Sequence, residues 1–393
     1  MRELCCTSLN AGHPCERYKR IGCLVSLWSV PETWHAERIP PMPQAASSPH
    51  PSRSRRRTAL ALTAVGALTG AAALTLAAEP AAQAAPAPTA STPAARASGT
   101  IHAAPYEYLG WGNPQKPTDV MAATGVKWFT LAFILSDGGC NPAWDGNRPL
   151  KGGSDESAIK SIRGAGGDIV VSVGGWSGAK LGEKCQSAAA LAGAYQKVID
   201  AYKLKAFDID IENTEFGNAT VRQRVVDALK IVKAKNPGIV TYVTMGTTPS
   251  GPDATGKDLI KRGAAAGLAN DAWVIMPFDF GGHSGTMGDA SVSAMEGLKS
   301  AVKSAYGYSD ADAYKHTGIS SMNGKTDVAG ETVTTADFQK ILAYAKQRHI
   351  ARFAFWAVNR DRDCGSGGNA GDSCSGIGQA PYAFTKIVAQ YGG

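Results

Sequence analysis

The segment Ala206–Asn213, with the sequence AFDIDIEN, decides the fold class of this chain. Acidic and apolar residues alternate along it, so Asp208, Asp210 and Glu212 lie on one face of an extended strand, about 6.6 Å apart at successive steps. Unpaired carboxylates on a buried face carry a large electrostatic cost, which a purely structural strand would not accumulate. We therefore interpret the segment as a strand that presents an acid/base site, rather than as an edge strand with a solvated acidic face.

This strand is one of eight apolar segments that alternate with helical patterns over residues 101–393. Some of them, such as WFTLAFI at 128–134, are nearly continuous apolar runs, which is typical of strands buried on both faces. The predicted strands are Tyr106–Trp111, Lys127–Ile134, Asp168–Gly174, Ala206–Glu212, Ile239–Met245, Ala272–Phe278, His316–Met322 and Arg352–Ala357. The predicted helices are Ser187–Lys203, Ala219–Lys235, Gly288–Tyr306, Thr334–Arg348 and Ala380–Tyr391.

Eight strands that alternate with helices predict an α/β fold, the (β/α)8 TIM barrel, whose active site lies at the C-terminal ends of the strands. A doubly wound open sheet is the structural alternative. No G-x-G-x-x-G sequence follows the first strand to favour that alternative.

The residues before the barrel have the pattern of a secretory signal peptide, predicted over 42–84. Four arginines at positions 53–57 precede an apolar stretch from Thr58 to Ala78, and Ala82-Gln83-Ala84 forms a small-residue cleavage signature. We expect export by the Sec or the twin-arginine route, cleavage after Ala84, and an extracellular protein without membrane association. A membrane anchor is the alternative, because about 20 apolar residues can span a bilayer.

Residues 1–41 do not fit this design, because they lie upstream of the charged part of the signal. We predict that translation begins at Met42 and that 1–41 is a mis-called N-terminal extension. Peptides from 1–41 in the cell-associated precursor, found by mass spectrometry, would contradict this start. Residues 85–100 are rich in Pro, Ala and Thr and predict a linker, followed by one domain over 101–393.

The charge and histidine content exclude some classes of function. The formal net charge is +7, of which residues 1–84 contribute +4 and the remainder only +3. A nearly balanced domain without a basic run argues against a nucleic-acid partner. None of the seven histidines lies in a ligand-spaced cluster, so we predict no metal and no cofactor.

Four cysteines fall within the predicted exported domain: Cys140, Cys185, Cys364 and Cys374. An even number in an oxidising compartment predicts two disulfides, for which three connectivities are possible. The simplest pairing is Cys364–Cys374, which closes a Gly/Ser-rich loop and leaves Cys140–Cys185.

Four motifs fall in order on separate predicted strands. They are Ser172-Val173-Gly174-Gly175 on the third, Asp208 to Glu212 on the fourth, Met276-Pro277-Phe278-Asp279 on the sixth, and Trp356 at the end of the eighth. Together they resemble the S-x-G-G, D-x-x-D-x-D-x-E and M-x-Y-D motifs and the subsite tryptophan of family-18 glycoside hydrolases, the chitinase family. The resemblance covers residues 105–393 and is to the bacterial single-domain type.

The resemblance implies retaining, substrate-assisted hydrolysis of chitin or another N-acetylglucosamine-containing polysaccharide by a monomeric enzyme. Glu212 would protonate the glycosidic oxygen and later activate water, while the substrate's N-acetyl carbonyl forms an oxazolinium ion. Asp210 would orient the acetamide, and Asp208 would hold Asp210 through a shared proton. The implied substrate-binding residues are Trp356, Asp279, Met276, Phe278, Ser172, Gly174 and Gly175.

Two residues depart from the family pattern. Lys205 stands where the family has its first aspartate, and it either pairs with Asp208 or turns away. Phe278 replaces a tyrosine whose hydroxyl holds the acetamide, a loss of about 1–3 kcal/mol if a buried acceptor is left unpaired. Three tryptophans, Trp111, Trp144 and Trp176, are candidate platforms for sugar rings, with packing as the alternative. The polar run 359–361 after Trp356 also favours a groove.

The short span between Met322 and Arg352 leaves no room for the α+β insertion that walls the groove of exo-acting family members. We therefore expect an open cleft and endo cleavage. Two other functions stay open. One is a non-catalytic chitin- or glycan-binding barrel, which the presence of Glu212 disfavours. The other is an endo-β-N-acetylglucosaminidase that acts on N-glycans.

Overall fold

The computed structural model describes residues 99–365 and 370–393 of the chain. The predicted extension, signal peptide and cleavage site, and the linker up to residue 98, lie outside this part. No helix within the described residues has the length and apolar character needed to cross a membrane.

Eight parallel strands form a nearly closed barrel, as the alternating pattern predicts. In sheet order they are β1 (Tyr106–Tyr108), β2 (Trp128–Ser136), β4 (Asp168–Gly174), β5 (Ala206–Asp210), β6 (Val240–Gly246), β7 (Ala272–Met276), β8 (Thr317–Met322) and β11 (Arg352–Trp356). The two end strands come together, and the rings of Tyr106 on β1 and Trp356 on β11 are 6.0 Å apart. A short strand, β3 (Pro142–Trp144), pairs antiparallel with β2.

Helices follow most of the strands. They are α1 (Pro117–Thr124), α2 (Ser154–Gly164), α3 (Leu181–Lys184), α4 (Ala188–Tyr202), α5 (Asn213–Gly217), α6 (Ala219–Lys235), α7 (Ala254–Ala266), α8 (Met287–Tyr306), α9 (Asp310–Lys315), α10 (Thr335–Arg348) and α11 (Ala383–Val388). Side-chain caps fix their starts: Asn218 accepts from two backbone N–H groups of α6, and Thr334 forms a capping box on α10. The five predicted helices are present within a few residues of the expected bounds.

The alternation along β5 sorts its side chains between two layers. Phe207, Ile209 and Ile211 are buried in the layer between strands and helices, where the ring of Phe207 lies 5.3 Å from that of Tyr195 on α4. The intervening residues therefore point into the barrel. Asp208 and Asp210 are both buried there. This confirms the arrangement predicted from the sequence.

Between β8 and β11 the chain forms a two-stranded hairpin, β9 (Gly324–Lys325) with β10 (Thr332–Val333), followed by α10. The described residues of this span contain no further sheet. Within the described residues, the C-terminal face of the barrel is therefore bounded on this side by a small hairpin.

Both disulfides have the simplest predicted pairing. Cys140 is bonded to Cys185 with their Cα atoms 4.6 Å apart, and Cys364 to Cys374 with theirs 5.0 Å apart. The first joins the loop after β2 to the residue that follows α3. The second closes the loop that contains residues 366–369, which lie outside the described part.

Candidate active site

A cleft of about 690 Å³ opens at the C-terminal ends of the barrel strands. Its aromatic lining consists of Tyr106, Tyr108, Trp111, Phe133, Trp176, Phe278 and Trp356. Its charged lining is acidic and consists of Asp145, Asp210, Glu212, Asp279, Asp327 and Asp372. Pyranose rings have apolar faces and hydroxyl-bearing edges. A cleft lined by aromatic rings and carboxylates is therefore complementary to a sugar chain.

Asp210 lies at the end of β5, deep in the cleft. Its side chain is 3% exposed, and its Oδ1 atom has no hydrogen-bond partner among the described residues. Burial raises the pKa of Asp210 well above 3.8, and the charges of Glu212 and Asp208 raise it further. A buried oxygen left without a partner marks the point at which a ligand's donor group can bind.

Glu212 lies two residues beyond Asp210, in an extended conformation at the start of α5. Burial raises the pKa of Glu212 from 4.5 to about 7, with the positive charge of Lys180 opposing the shift and Asp279 adding to it. A large fraction of the Glu212 side chains therefore keeps its proton up to about pH 7, and the side chain lines the cleft. This is the state that a general acid requires.

Asp208, one step deeper, is held by three hydroxyl groups. Tyr106 and Ser172 each donate to its Oδ2 at 2.7 Å, and Thr244 donates to Oδ1 at 2.7 Å. These donors satisfy the carboxylate without Asp210, so the shared proton between Asp208 and Asp210 stays a prediction. Ser172 is expected from the sequence to contact substrate, but its side chain is fully buried. We instead assign Ser172 to the support of Asp208.

The hydroxyl of Tyr106 is expected to contribute to stability through this bond. Tyr106→Phe removes one donor from a fully buried carboxylate and should lower the free energy of unfolding by about 1–3 kcal/mol, measured by urea denaturation. Tyr195→Phe is the matched control, because the buried Tyr195 hydroxyl has no hydrogen-bond partner among the described residues. Equal losses in the two variants would contradict the assignment.

The glycines of the S-x-G-G motif allow β4 to approach its neighbours. A Cβ atom on Gly174 would lie 2.1 Å from the carbonyl oxygen of Asp210, and one on Gly175 would lie 2.7 Å from the ring of Phe133. Both residues have positive φ, and the N–H of Gly175 donates to the Asp210 carbonyl at 2.9 Å. Both glycines are predicted substrate contacts, but in the structure they fix the backbone that carries Asp210.

The other predicted binding residues line the cleft. Trp356 is half-buried and stacks on Phe133, with ring centroids 5.5 Å apart. Met276, Phe278 and Asp279 follow one another around the end of β7. Asp279 also accepts hydrogen bonds at Oδ1 from the backbone of Asp327 and Val328, so it anchors the turn that begins the β9–β10 connection.

The three candidate tryptophan platforms have different positions. Trp111 and Trp176 line the cleft and are 49% and 66% exposed. Trp144 is fully buried and its Nε1 donates to the hydroxyl of Tyr202 at 2.8 Å, so it packs the barrel wall. Trp111 and Trp176 remain available to sugar rings.

Chitinases are among the known proteins that this chain resembles. No family model matches the chain. A probable bifunctional chitinase/lysozyme of Escherichia coli (strain K12) is 28% identical over 285 residues, which cover 68% of this chain and 32% of the relative. Endochitinase 11 of Metarhizium anisopliae is 27% identical over 253 residues, covering 60% and 48%. The chain thus spans half or less of each curated relative.

Solved chitinase structures share the fold of this chain over most of their own length. The catalytic domain of a hyperthermophilic chitinase from Pyrococcus furiosus matches with a TM-score of 0.66 and 28% identity, over 73% of this chain and 93% of that one. Catalytic-site mutants of active domain 2 of the Pyrococcus enzyme, complexed with chito-oligosaccharides, match with 27% identity and a TM-score of 0.66, over 73% of this chain and 93% of that one. A family GH18 chitinase from Chromobacterium violaceum shares the fold at 16% identity and a TM-score of 0.50, over 73% and 82%.

The chain is thus similar to family-18 chitinases in sequence and in fold. Members of three of its four motifs line one cleft: Asp210, Glu212, Met276, Phe278, Asp279 and Trp356.

Lys205 marks the clearest departure of this chain from the family-18 pattern. Of the two alternatives, the structure supports the second, because Lys205 turns away from the barrel interior. Its Nζ atom lies 2.9 Å from Asp168 Oδ2, and its side chain is 64% exposed. Asp208 therefore receives no support from Lys205 and depends on its three hydroxyl donors.

The polar run after Trp356 is not groove lining, which corrects the sequence interpretation. Asn359, Arg360 and Asp361 are all buried. Asn359 bonds the backbone of Tyr108 in both directions, at 2.9 and 2.8 Å, and Asp361 accepts from the backbone of Thr385 at 2.6 Å. These side chains tie β11 to β1 and to α11, so they close the barrel.

Sequence reasoning missed several residues of the site. Thr244 could have been found from the alternation of residues along β6, because it faces inward like the carboxylates on β5. Tyr106 sits on a strand of three residues, too short to show a period. Lys180 gives no signal in the sequence, because it is a lone lysine in a loop. Among the described residues, no group of three or more His, Cys, Asp or Glu side chains is arranged to hold a metal ion.

Proposed function

We propose that this chain is a chitinase that cleaves β-1,4 linkages between N-acetylglucosamine units, with retention of anomeric configuration. The observation that carries the proposal is the pair of carboxylates at the end of β5. With its pKa raised to about 7, Glu212 keeps a proton at the cleft surface up to that pH, and Asp210, two residues away, offers a buried oxygen without a partner among the described residues. The Pyrococcus chitinase domain complexed with chito-oligosaccharides supports the same class of substrate.

The chemistry follows from these two groups. Glu212 donates its proton to the glycosidic oxygen as the bond to the anomeric carbon breaks. The acetamide carbonyl oxygen of the substrate bonds to that carbon, giving a cyclic oxazolinium ion. Asp210 accepts the acetamide N–H and, as a carboxylate, stabilises the positive charge on the ring. Glu212, now ionised, removes a proton from water, which opens the ring and restores the original configuration.

Endo cleavage is proposed from the shape of the cleft. Only the β9–β10 hairpin stands between β8 and α10, so a long chain can extend past the carboxylates at both ends. Trp111 and Trp176, both exposed, are positioned on the cleft wall for further sugar units.

Activity should decline above neutral pH. The first step requires protonated Glu212, whose pKa is raised to about 7 by burial. We expect kcat/KM on chitin oligosaccharides to fall tenfold for each pH unit above that value. A profile between pH 4 and 9, with circular dichroism at each pH to establish that the protein stays folded, measures this. Constant kcat/KM up to pH 9 would show that Glu212 is not the acid.

The substrate is tested by offering two polymers. We expect purified protein to convert N-acetylglucosamine hexaose into dimers, trimers and tetramers early in the reaction, measured by mass spectrometry. Release of a glycan from an N-glycopeptide, with the hexaose untouched, would assign endo-β-N-acetylglucosaminidase activity instead. Binding of the hexaose without cleavage of either substrate would assign a non-catalytic binding barrel.

We also propose secretion, with removal of residues 42–84 as a signal peptide. The support is the order of arginine cluster, apolar stretch and Ala82-Gln83-Ala84. N-terminal sequencing of protein from the culture medium should begin at Ala85. Recovery of the uncleaved chain in the membrane fraction would favour an anchor.

A further inference from the structure

Lys180 is a buried cation beneath the cleft, and it is not one of the groups that donate or accept a proton in the proposed hydrolysis. Its side chain is 2% exposed, although lysine is rarely buried without a partner. Its Nζ atom donates to the backbone carbonyls of Gly175 and of Ser177, the latter at 2.7 Å. These carbonyls flank Trp176, whose ring is exposed on the cleft wall. The lysine therefore fixes the loop that presents this tryptophan.

The surroundings of Lys180 are acidic on several sides. Glu215 from α5 contributes most to keeping the lysine charged, followed by Glu212 and Asp210 from the end of β5 and by Glu183 from α3. Burial acts in the opposite direction and lowers the pKa of Lys180. Helix α5 packs tightly on α3, because a Cβ atom on Gly182 would lie 2.0 Å from Glu215 Oε1. On the outer side, Arg224 of α6 donates to the Gly182 carbonyl at 2.6 Å.

The interaction of Lys180 with Glu212 opposes the effect of burial on that acid. Burial favours the protonated form of Glu212, whereas the ammonium group favours the carboxylate. An acid that burial alone controlled would hold its proton too firmly to donate it and would form a poor base for water. Hydrogen bonds also join the loop that Lys180 holds to the segment that carries this acid. Gly175, whose carbonyl accepts from Lys180 Nζ, donates its N–H to the Asp210 carbonyl at 2.9 Å, and the side chain of Asn213, next to Glu212, donates to the Trp176 carbonyl at 3.4 Å. A buried cation at this place corrects the effect of burial without touching the substrate.

We propose that Lys180 is a positioning residue for the Glu212 acid, fixing the Trp176 loop and supplying a buried positive charge that stabilises Glu212 once it has donated its proton. This inference rests on the proposed function. The two roles separate experimentally, because loss of the loop contacts weakens substrate binding whereas loss of the charge moves the pH profile.

Lys180→Met tests the charge. We expect the basic limb of kcat/KM to move upward by about one pH unit, within the range for loss of a nearby opposite charge, and KM to rise as the loop loosens. Lys180→Arg should keep the limb within a few tenths of a unit of the parent, because the charge remains. Lys184→Met is the matched control, because this exposed lysine ends α3, the helix that Lys180 directly precedes, and it should leave the profile unchanged. A uniform loss of activity in Lys180→Met, with the limb unmoved, would reduce Lys180 to a structural role.

A second measurement does not depend on activity or on the folding of Lys180→Met. If the two groups interact, removal of the Glu212 charge must lower the pKa of Lys180 by linkage. The 15N resonance of Lys180 Nζ, titrated in the parent and in Glu212→Gln, should show this lowering. Identical titrations would overturn the inference, even in an active enzyme. A shifted titration in a protein that cleaves no chitin would instead leave the interaction intact and refute the proposed function.

Discussion

Glu212→Gln is expected to lower kcat on chitin oligosaccharides by about 10²–10⁴-fold, the usual contribution of a positioned general acid. The amide keeps the size of the side chain but has no proton to donate to the glycosidic oxygen. It also cannot deprotonate water in the second step. Substrate contacts are otherwise unchanged, so KM should change little. Initial rates with the hexaose, over a range of concentrations, separate the two parameters.

Stability measurements supply the folding control for this variant. Because the pKa of Glu212 is raised in the folded protein, from 4.5 to about 7, ionisation destabilises the fold as pH rises through that window. The protonated Glu212 therefore contributes fully to the free energy of unfolding below pH 4.5, and this contribution is lost as the pH rises through about 7. Glu212→Gln has no such loss and should melt no lower than the parent at pH 8. Glu156→Gln, the same change on α2 outside the cleft, should retain parental kcat. Similar activity of Glu212→Gln and Glu156→Gln would contradict the assigned role.

Asp210→Asn is expected to have the second largest effect, a decrease in kcat of about 10²–10³-fold. The variant keeps the shape of the side chain, but a neutral amide cannot stabilise the positive charge that develops on the oxazolinium ring. The loss should fall mainly on kcat, because the charge appears only after the substrate has bound.

The pH dependence distinguishes Asp210→Asn from a folding defect. The carboxylates of Asp210 and Glu212 repel each other. The neutral asparagine of the variant removes this repulsion. We expect unchanged far-ultraviolet circular dichroism, together with a basic limb that moves below about 7, because less repulsion favours the ionised form of Glu212. Retention of kcat within threefold of the parent would exclude Asp210 from charge stabilisation.

Local periodicity explains why so much of the barrel could be predicted from the sequence. The alternation in AFDIDIEN assigns each side chain of β5 to a layer, and the structure buries Phe207 and Ile209 against helices while Asp208 and Asp210 face inward. Strand order follows from chain order in this fold, so the motif residues at strand ends meet in one cleft. The errors lie at strand ends and in short helices, where few residues carry the pattern.

The partners of the site residues could not be predicted, because they depend on closure of the barrel. Asp208 is bonded by Tyr106, 102 residues earlier, and by Thr244, 36 residues later. The prediction that Asn359 and Asp361 line the groove was also wrong. A polar residue at a strand end either faces the groove or forms hydrogen bonds with buried backbone groups. Trp144 shows the same ambiguity for an aromatic residue. Only three-dimensional contacts distinguish these alternatives.

The anomeric configuration of the first product tests the central claim most directly. Purified protein is mixed with N-acetylglucosamine hexaose in an NMR tube, and the anomeric protons of the new reducing ends are followed before mutarotation equilibrates them. Retention through the substrate's acetamide predicts that the β-anomer appears first and the α-anomer only later. First appearance of the α-anomer would show direct attack by water and contradict the roles given to Asp210 and Glu212.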